Sequence, residues 1–346
     1  MKKVRTLIVD DSILFRQTLM KMLNESSVIE VVGEAADPYE ARDKIKLLKP
    51  DVMTLDVEMP KMNGIAFLKE LIPQNPLPTV VVSSAPIAAF DALDAGAVDY
   101  IKKPAIKTHA DLLAFANEMK LKVQTAASAK VRRPYDVKKS AETFAPVRYA
   151  APVGLTGRKV IAIGTSTGGT DALQTVFKTF PVNSPPVVVV QHMPPVFTKM
   201  FAERLNRQCD ITVKEAQHGD RLETGVALIA PGDFQMELKK DVKGFFVSVK
   251  KGEKVSGHCP SVDVLFNSVA ETAGKDAIGV IMTGMGADGA KGLLNMRTKG
   301  AYTIGQDKET CVVYGMPMVA FDTGACCMQS PLGKITDAVF KRLTNR

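Results

Sequence analysis

Short apolar runs, each closed by a small, polar or acidic turn cluster, alternate along this chain with stretches whose apolar positions recur at helical spacing. Val4 to Val9 is the first run and stops at Asp10-Asp11. A helical stretch with Leu14, Leu19, Met22 and Leu23 follows, then V-I-E-V-V-G-E-A, a second helix, and D-V-M-T-L-D at Asp51 to Asp56. T-V-V-V-S-S (Thr79 to Ser84) and V-D-Y-I-K-K-P (Val98 to Pro104) supply a fourth and a fifth strand. Strands that alternate with helices predict a doubly wound parallel sheet whose ligands sit beyond the strand C-termini. The strand-end residues are then Asp10, Asp11, Asp56, Ser83 and Lys103.

The pattern restarts at Lys159 to Leu173, K-V-I-A-I-G-T-S-T-G-G-T-D-A-L. A β-branched run breaks at Gly164 and a helical pattern begins near Asp171, so the stretch reads as strand, tight turn, helix N-terminus. Pro185 to Pro195 (P-P-V-V-V-V-Q-H-M-P-P), I-T-V-K-E-A, V-A-L-I-A-P-G-D, a hairpin around Phe234 to Lys250, and Asp276 to Gly289 (D-A-I-G-V-I-M-T-G-M-G-A-D-G) complete a second parallel sheet. The fold class is α/β: a flavodoxin-like sheet over 1–123, and a Rossmann-like sheet with a small β-hairpin over 158–346.

Composition and charge refine this division. A chain of 346 residues with 46% hydrophobic content can fill two cores. The net charge of +8 suggests a polyanionic partner until it is divided along the sequence. Residues 124–157 are rich in Ala, Ser and Thr, hold Pro134, Pro146 and Pro152, and with Arg158 carry seven basic against two acidic residues. That segment is expected to be a solvated basic linker. Aromatic interleaving there is thin, with Tyr135, Phe144 and Tyr149, so no nucleic-acid platform is expected. No apolar stretch is long enough to span a bilayer, and the M-K-K-V-R-T-L-I-V-D-D start lacks a signal-peptide pattern, so the expected location is cytoplasmic. Five cysteines without paired spacing suit a reducing compartment and are expected to be ordinary buried thiols.

Two sets of strand-end residues carry chemistry. Three carboxylates converging with one Lys suit a hard cation and an incoming phosphoryl group, with Asp56 as nucleophile. In the second sheet, Ser166 sits in G-T-S-T-G between Gly164 and Gly168, which would let the backbone bend and lift the side chain off the sheet. The following N–H groups point where an oxyanion could form. His192 follows one apolar run and Asp288 follows another, so three strand ends offer a hydroxyl, an imidazole and a carboxylate. Ester hydrolysis needs that set: a nucleophile, a base, and a carboxylate that fixes the tautomer. Among the four histidines, His109 belongs to the first domain, His218 to a polar H-G-D-R turn and His258 to S-G-H-C-P-S-V-D. His192 is therefore the best placed base. Asp233, Asp263 and Asp307 remain rival carboxylates, and the same glycine-rich loop could instead cradle a phosphate at a helix N-terminus. The chain order Ser, His, Asp disfavours an ordinary α/β-hydrolase, and no His or Cys pair stands at zinc spacing.

Residues 1 to about 123 resemble a response-regulator receiver domain through Asp10-Asp11, T-L-D-V-E-M-P-K-M-N-G, Ser83, Tyr100 and Lys103-Pro104. The resemblance implies phosphorylation of Asp56 by a histidine kinase, with Mg²⁺ held by Asp10, Asp11, Asp56 and the backbone carbonyl of Glu58. Ser83, Tyr100 and Lys103 would form the switch. The stretch from Ser83 to Gly96 is a few residues shorter than receivers usually show, which predicts an abbreviated fourth helix. G-T-S-T-G-G, Q-H-M-P-P-V-F-T, A-P-G-D, H-C-P-S-V-D-V-L-F, M-T-G-M-G-A-D-G and C-V-V-Y-G-M-P, in that order, resemble the protein-glutamate methylesterase domain of chemotaxis response regulators, the CheB family.

That resemblance implies Ser166 as nucleophile, His192 as general base, Asp288 as its orienting partner, and the backbone N–H groups of Thr167 and Met285 as oxyanion hole. It also implies glutamate methyl esters, and glutamines by deamidation, on the cytoplasmic helices of chemoreceptors as substrates. No cofactor is implied for the ester chemistry, and a monomer is expected. Gln235 stands where many members have His after A-P-G, and Met318 where a basic residue often follows G-M-P. The competing reading is a receiver-linked regulator whose second domain binds a phosphorylated ligand at Thr165 to Gly169 without catalysis. A DNA-binding output would be shorter, helix-rich and basic, and fits less well.

Overall fold

The computed structural model of the chain describes residues 2–104, 108–131 and 159–344. These form two compact units, one N-terminal and one C-terminal. The N-terminal unit runs β1 (Val4–Val9), α1 (Ile13–Asn24), β2 (Ile29–Ala35), α2 (Pro38–Leu48), β3 (Val52–Asp56), α3 (Gly64–Gln74), β4 (Thr79–Ser83), α4 (Pro86–Asp94), β5 (Asp99–Lys102) and α5 (His109–Ala127). Its sheet is parallel with order β2-β1-β3-β4-β5. The order reverses between β1 and β3, so a crevice opens where Asp10 and Asp56 end their strands.

Local chemistry starts these helices. The Ser12 hydroxyl accepts from the Phe15 N–H at 3.3 Å, Asp37 from Tyr39 and Glu40, and Thr108 and Asp111 form a reciprocal capping box at α5. Helix α4 is nine residues long and has no side-chain cap, in keeping with the short Ser83–Gly96 stretch. Helix α5 continues to Ala127 because Val123 and Ala126 are fully buried. Four residues assigned to the linker are thus helical, and the linker beyond residue 131 lies outside the described residues.

The C-terminal unit runs β6 (Val160–Thr165), α6 (Gly169–Phe177), β7 (Val187–Gln191), α7 (Phe197–Gln208), β8 (Thr212–Glu215), β9 (Val226–Ile229), the hairpin β10 (Phe234–Asp241) and β11 (Gly244–Lys251), α8 (Val262–Ala273), β12 (Ala277–Ile281), α9 (Ala290–Thr298), β13 (Tyr302–Gln306), α10 (Met316–Asp322), β14 (Met328–Ser330) and α11 (Ile335–Thr344). Seven strands pair in parallel in the order β14-β13-β12-β6-β7-β9-β8. Strands β6, β7 and β12 are buried on both faces, which is why they read as short apolar runs rich in Val and Ile. The hairpin lies outside this sheet and docks on α8. Met236, Leu238 and Val247 join Val262, Phe266 and Val269 in one core, and the Ser268 and Thr272 hydroxyls bond the Leu238 backbone at 2.8 and 3.0 Å. The strand order reverses between β6 and β12, so a ligand crevice is expected at their C-terminal ends.

All five cysteines are free thiols. Cys311 and Cys326 are buried as expected, with burial raising the Cys326 thiol to about 12. Cys209 and Cys259 are half-buried and Cys327 is exposed, so the expectation of uniformly buried thiols holds for two of the five. No helix among the described residues is long and apolar enough to cross a membrane.

Candidate active site

Ser166 follows β6 directly, and the two flanking glycines serve different ends. Gly168 has φ of 76° and N-caps α6, so it makes the turn. Gly164 lies inside β6, where a Cβ would sit 2.2 Å from Val262 Cγ1, so its missing side chain lets α8 approach. Sharp bending by both glycines, as the sequence suggested, is replaced by one turn and one close approach. Ser166 itself has no positive φ, so the serine is presented without backbone strain at its own position.

Buried polar groups weld the strand ends around it. The Thr165 hydroxyl donates to the Thr283 carbonyl at 2.9 Å, the Thr283 hydroxyl to the Thr167 carbonyl at 2.9 Å, and the Thr283 N–H to Gln306 Oε1 at 2.8 Å. The ends of β6, β12 and β13 are thereby held in register. Gly284 then packs so closely that a Cβ on it would lie 2.7 Å from Ser166 Cβ.

His192 comes in from β7. Its N–H donates to the Thr165 carbonyl at 3.2 Å, and the Gln191 amide donates to the Ser166 carbonyl at 3.0 Å, so the imidazole is rooted beside the serine turn. His192 Nε2 lies 2.8 Å from Asp288 Oδ2. Two rival carboxylates are engaged elsewhere: Asp307 Oδ1 accepts from Thr310, and Asp263 Oδ1 accepts from the Gly292 N–H at 2.8 Å. A proton on Nε2 leaves the lone pair on Nδ1, which is buried and has no hydrogen-bond partner. No hydrogen bond joins Ser166 Oγ to His192, so of the two contacts a triad requires, the one to the carboxylate is formed. Nucleophile–base contacts are commonly loose before substrate binds.

Asp288 is 2% exposed and accepts three further hydrogen bonds, from the Ser261 hydroxyl at 2.7 Å and from the Val262 and Asp263 N–H groups at 2.7 and 3.2 Å. These donors form the N-terminus of α8. Ser261 stands at the N-cap but makes no cap bond to its own helix, and Asp288 caps that helix from outside. Burial disfavours the Asp288 charge, but the His192 hydrogen bond and charge, with Ser261 and Val262, outweigh it and hold the carboxyl below its ordinary value. Neighbouring Asp263 is pushed the other way, by burial first and by the Asp288 charge. The P-S-V-D string before an apolar run was a legible helix start, but its use by a carboxylate 26 residues away was not.

His258, from the S-G-H-C-P-S-V-D segment, stacks on His192, with ring centroids 3.6 Å apart and planes 6° apart. Gln235 braces the same segment: its amide donates to the Glu253 and His258 carbonyls, and its oxygen accepts from the Ser261 N–H at 2.9 Å. Met318 lies on α10 and is 41% exposed.

In the N-terminal unit, carboxylate oxygens of Asp10, Asp11 and Asp56 lie within 4.8 Å of one another. Lys103 Nζ is 2.9 Å from Asp10 Oδ2 and also bonds Asp56 Oδ2. Burial, and then the Asp56 charge, raise the Asp10 carboxyl against the pull of Lys103 and the Ser12 N–H. Burial opposes the Lys103 charge, yet its bonds to Asp56 and Asp10 raise it overall. The Glu58 N–H donates to Asp56 Oδ1 at 3.2 Å, which sets its peptide against the cluster. Buried Arg16, which the sequence did not single out, donates to the Asp10 and Asp11 carbonyls at 2.7 and 3.1 Å and fixes the acidic turn. Ser83 ends β4, and its hydroxyl accepts from the Ala85 N–H at 3.1 Å. Tyr100 is buried beside Phe90, and burial raises its phenol well above the ordinary value.

Comparison with known proteins bears on both units. The CheB methylesterase family profile matches residues 161–339, and the response regulator receiver domain profile matches residues 6–115. A Syntrophomonas wolfei protein named protein-glutamate methylesterase/protein-glutamine glutaminase 2 is 51% identical over 341 residues, covering 99% of this chain and 98% of its own. An Escherichia coli protein named protein-glutamate methylesterase/protein-glutamine glutaminase is 44% identical over 350 residues, covering 99% of this chain and 98% of its own. The crystal structure of the Thermotoga maritima CheB methylesterase catalytic domain is 41% identical, covers 53% of this chain and 98% of that one, and superposes with a TM-score of 0.52.

Proposed function

Because this chain belongs to the CheB methylesterase family, with a response-regulator receiver domain ahead of the catalytic domain, we propose that it removes methyl esters from chemoreceptor glutamates through Ser166, His192 and Asp288. The observation that carries this reading is the buried His192–Asp288 bond beside Ser166 at the reversal of strand order. Ser166 Oγ attacks the ester carbonyl carbon while its proton passes to His192 Nδ1, and Asp288 stabilises the imidazolium. The Thr167 and Met285 N–H groups receive the developing oxyanion. His192 then gives the proton to the methoxy oxygen, the carbon–oxygen bond breaks, and methanol leaves an acyl-serine. Water attacks that acyl group, His192 takes its proton and returns it to Ser166 Oγ, and a free glutamate carboxylate is released. A glutamine enters the same sequence with ammonia as the leaving group.

The receiver domain regulates this activity through Asp56. Three carboxylates that share oxygen donors within 4.8 Å fit a hard cation, so Asp10, Asp11, Asp56 and the Glu58 carbonyl would hold Mg²⁺. When bound, Mg²⁺ supplies positive charge that offsets the carboxylates and an incoming phosphoryl group. Asp56 accepts the phosphoryl group from a histidine kinase, Lys103 donates to it, and Ser83 turns from the Ala85 N–H toward the new oxygens, with Tyr100 as the second switch residue. The protein acts in the cytoplasm on receptor helices. Incubation with methylated receptor tests the reading: methanol release and a one-dalton gain at receptor glutamines are expected. Phosphoamino acid or phosphopeptide binding without either product would favour the ligand-binding alternative.

A further inference from the structure

We propose that His258 is a positioning residue for ester hydrolysis, its imidazole lying flat against His192 and fixing the plane in which His192 meets Asp288 and Ser166. The inference rests on the proposed role of His192. The His192 ring is tethered at one edge by the 2.8 Å bond from Nε2 to Asp288, while Nδ1 has no partner, so edge contacts alone leave the ring free to tilt about that tether. A parallel imidazole at 3.6 Å closes one face of it. Contact over a whole ring face resists tilting.

The backbone around His258 is built to hold that ring still. Val255 and His258 exchange two N–H to carbonyl bonds of 2.9 Å around Ser256 and Gly257, whose φ values of 53° and 85° make a tight two-residue turn. Gln235 ties the His258 carbonyl at 3.3 Å and the Ser261 N–H at 2.9 Å. Three residues beyond His258, Ser261, Val262 and Asp263 donate to Asp288. One rigid segment thus contacts both the imidazole and the carboxylate that orients it. Misplacing a catalytic group by about 1 Å costs on the order of 100-fold in rate.

Full-length His258→Ala is expected to lower kcat for methanol release by about 10- to 100-fold with KM within about twofold. His258→Phe keeps a flat aromatic face and should recover kcat to within about threefold of wild type, whereas His258→Leu, similar in bulk but not planar, should stay near the alanine value. Thermal unfolding of each variant is measured alongside, and if the alanine variant does not fold the Phe–Leu difference decides. Retention of wild-type kcat by His258→Ala, or equal losses in the Phe and Leu variants, would overturn the proposal. Ser166→Ala is run in parallel: its retention of turnover would instead refute the active-site reading on which the proposal rests.

Discussion

Replacing Asp288 by Asn probes the site where the structure is most constraining. All four groups that bond this carboxylate are donors in the arrangement described: the Ser261 hydroxyl, the Val262 and Asp263 N–H groups, and His192 Nε2. An amide offers one oxygen and one NH₂, so one side must turn a donor toward donors. With the oxygen kept toward Ser261 and Asp263, the NH₂ meets the Val262 N–H and forces His192 to accept at Nε2, which moves the imidazole proton to Nδ1. The nitrogen assigned to take the Ser166 proton is then occupied. The wrong tautomer costs about 10⁴-fold in kcat in a serine-hydrolase triad. One buried donor left unpaired costs about 1–3 kcal/mol, and loss of the charge at the α8 N-terminus about 1 kcal/mol more, for a total near 2–4 kcal/mol. That is less than the usual stability of a domain, so the variant stays folded. The Asp288 carboxyl is held below its ordinary value in the folded protein. Its stabilisation is therefore fully present above the unfolded value of about 3.9 and is lost as pH falls through the folded value. Methanol-release kinetics and denaturant unfolding from pH 7 to 3 check both parts, and the stability gap between wild type and variant should narrow in acid. A kcat within tenfold of wild type, or a stability gap that widens in acid, would refute the reasoning.

Other consequences follow from the same geometry. Ser166→Ala and His192→Ala should each lower kcat by several orders of magnitude and together little more, because they act as a unit; a multiplicative double variant in the same assay would contradict this. Gly168→Ala should cost about 2 kcal/mol or more in chemical denaturation, since the residue has φ of 76° and a Cβ would meet Val312 Cβ at 2.6 Å; an unchanged midpoint would count against that turn. A small phosphodonor with Mg²⁺ should raise the methanol-release rate of the full chain, and Asp56→Asn should keep a basal rate without the rise, because phosphorylation adds about two negative charges at the Asp10, Asp11 and Lys103 cluster; equal stimulation of both proteins would refute Asp56 as the acceptor.

Much of the fold was legible because the central strands are buried on both faces and so read as short β-branched runs ending in turn clusters. Strands β13 and β14 escaped the reading: T-I-G-Q is interrupted by Gly305, whose missing side chain makes room for Cys326 Sγ, and Met328–Ser330 is a three-residue edge. Helix α5 runs four residues past the expected start of the linker: Q-T-A-A looks like linker composition, whereas Val123 and Ala126 pack into the core. At the site, the three strand-end residues could be named from spacing, but their selection over Asp233, Asp263 and Asp307 depends on loop paths that no periodicity encodes. His258 was missed for the same reason. It lies 66 positions from His192 in sequence, in a turn-rich segment with no apolar pattern, and only the fold around α8 stacks the two rings.

The central claim is that Ser166 carries the acyl group, and rapid acid quenching during turnover of a methylated receptor peptide tests it most directly. Digestion and mass spectrometry should find the peptide spanning residues 160–178 heavier by the substrate mass less methanol, with the adduct on Ser166. Turnover with residues 160–178 unmodified and the acyl group mapped to another side chain would contradict the account.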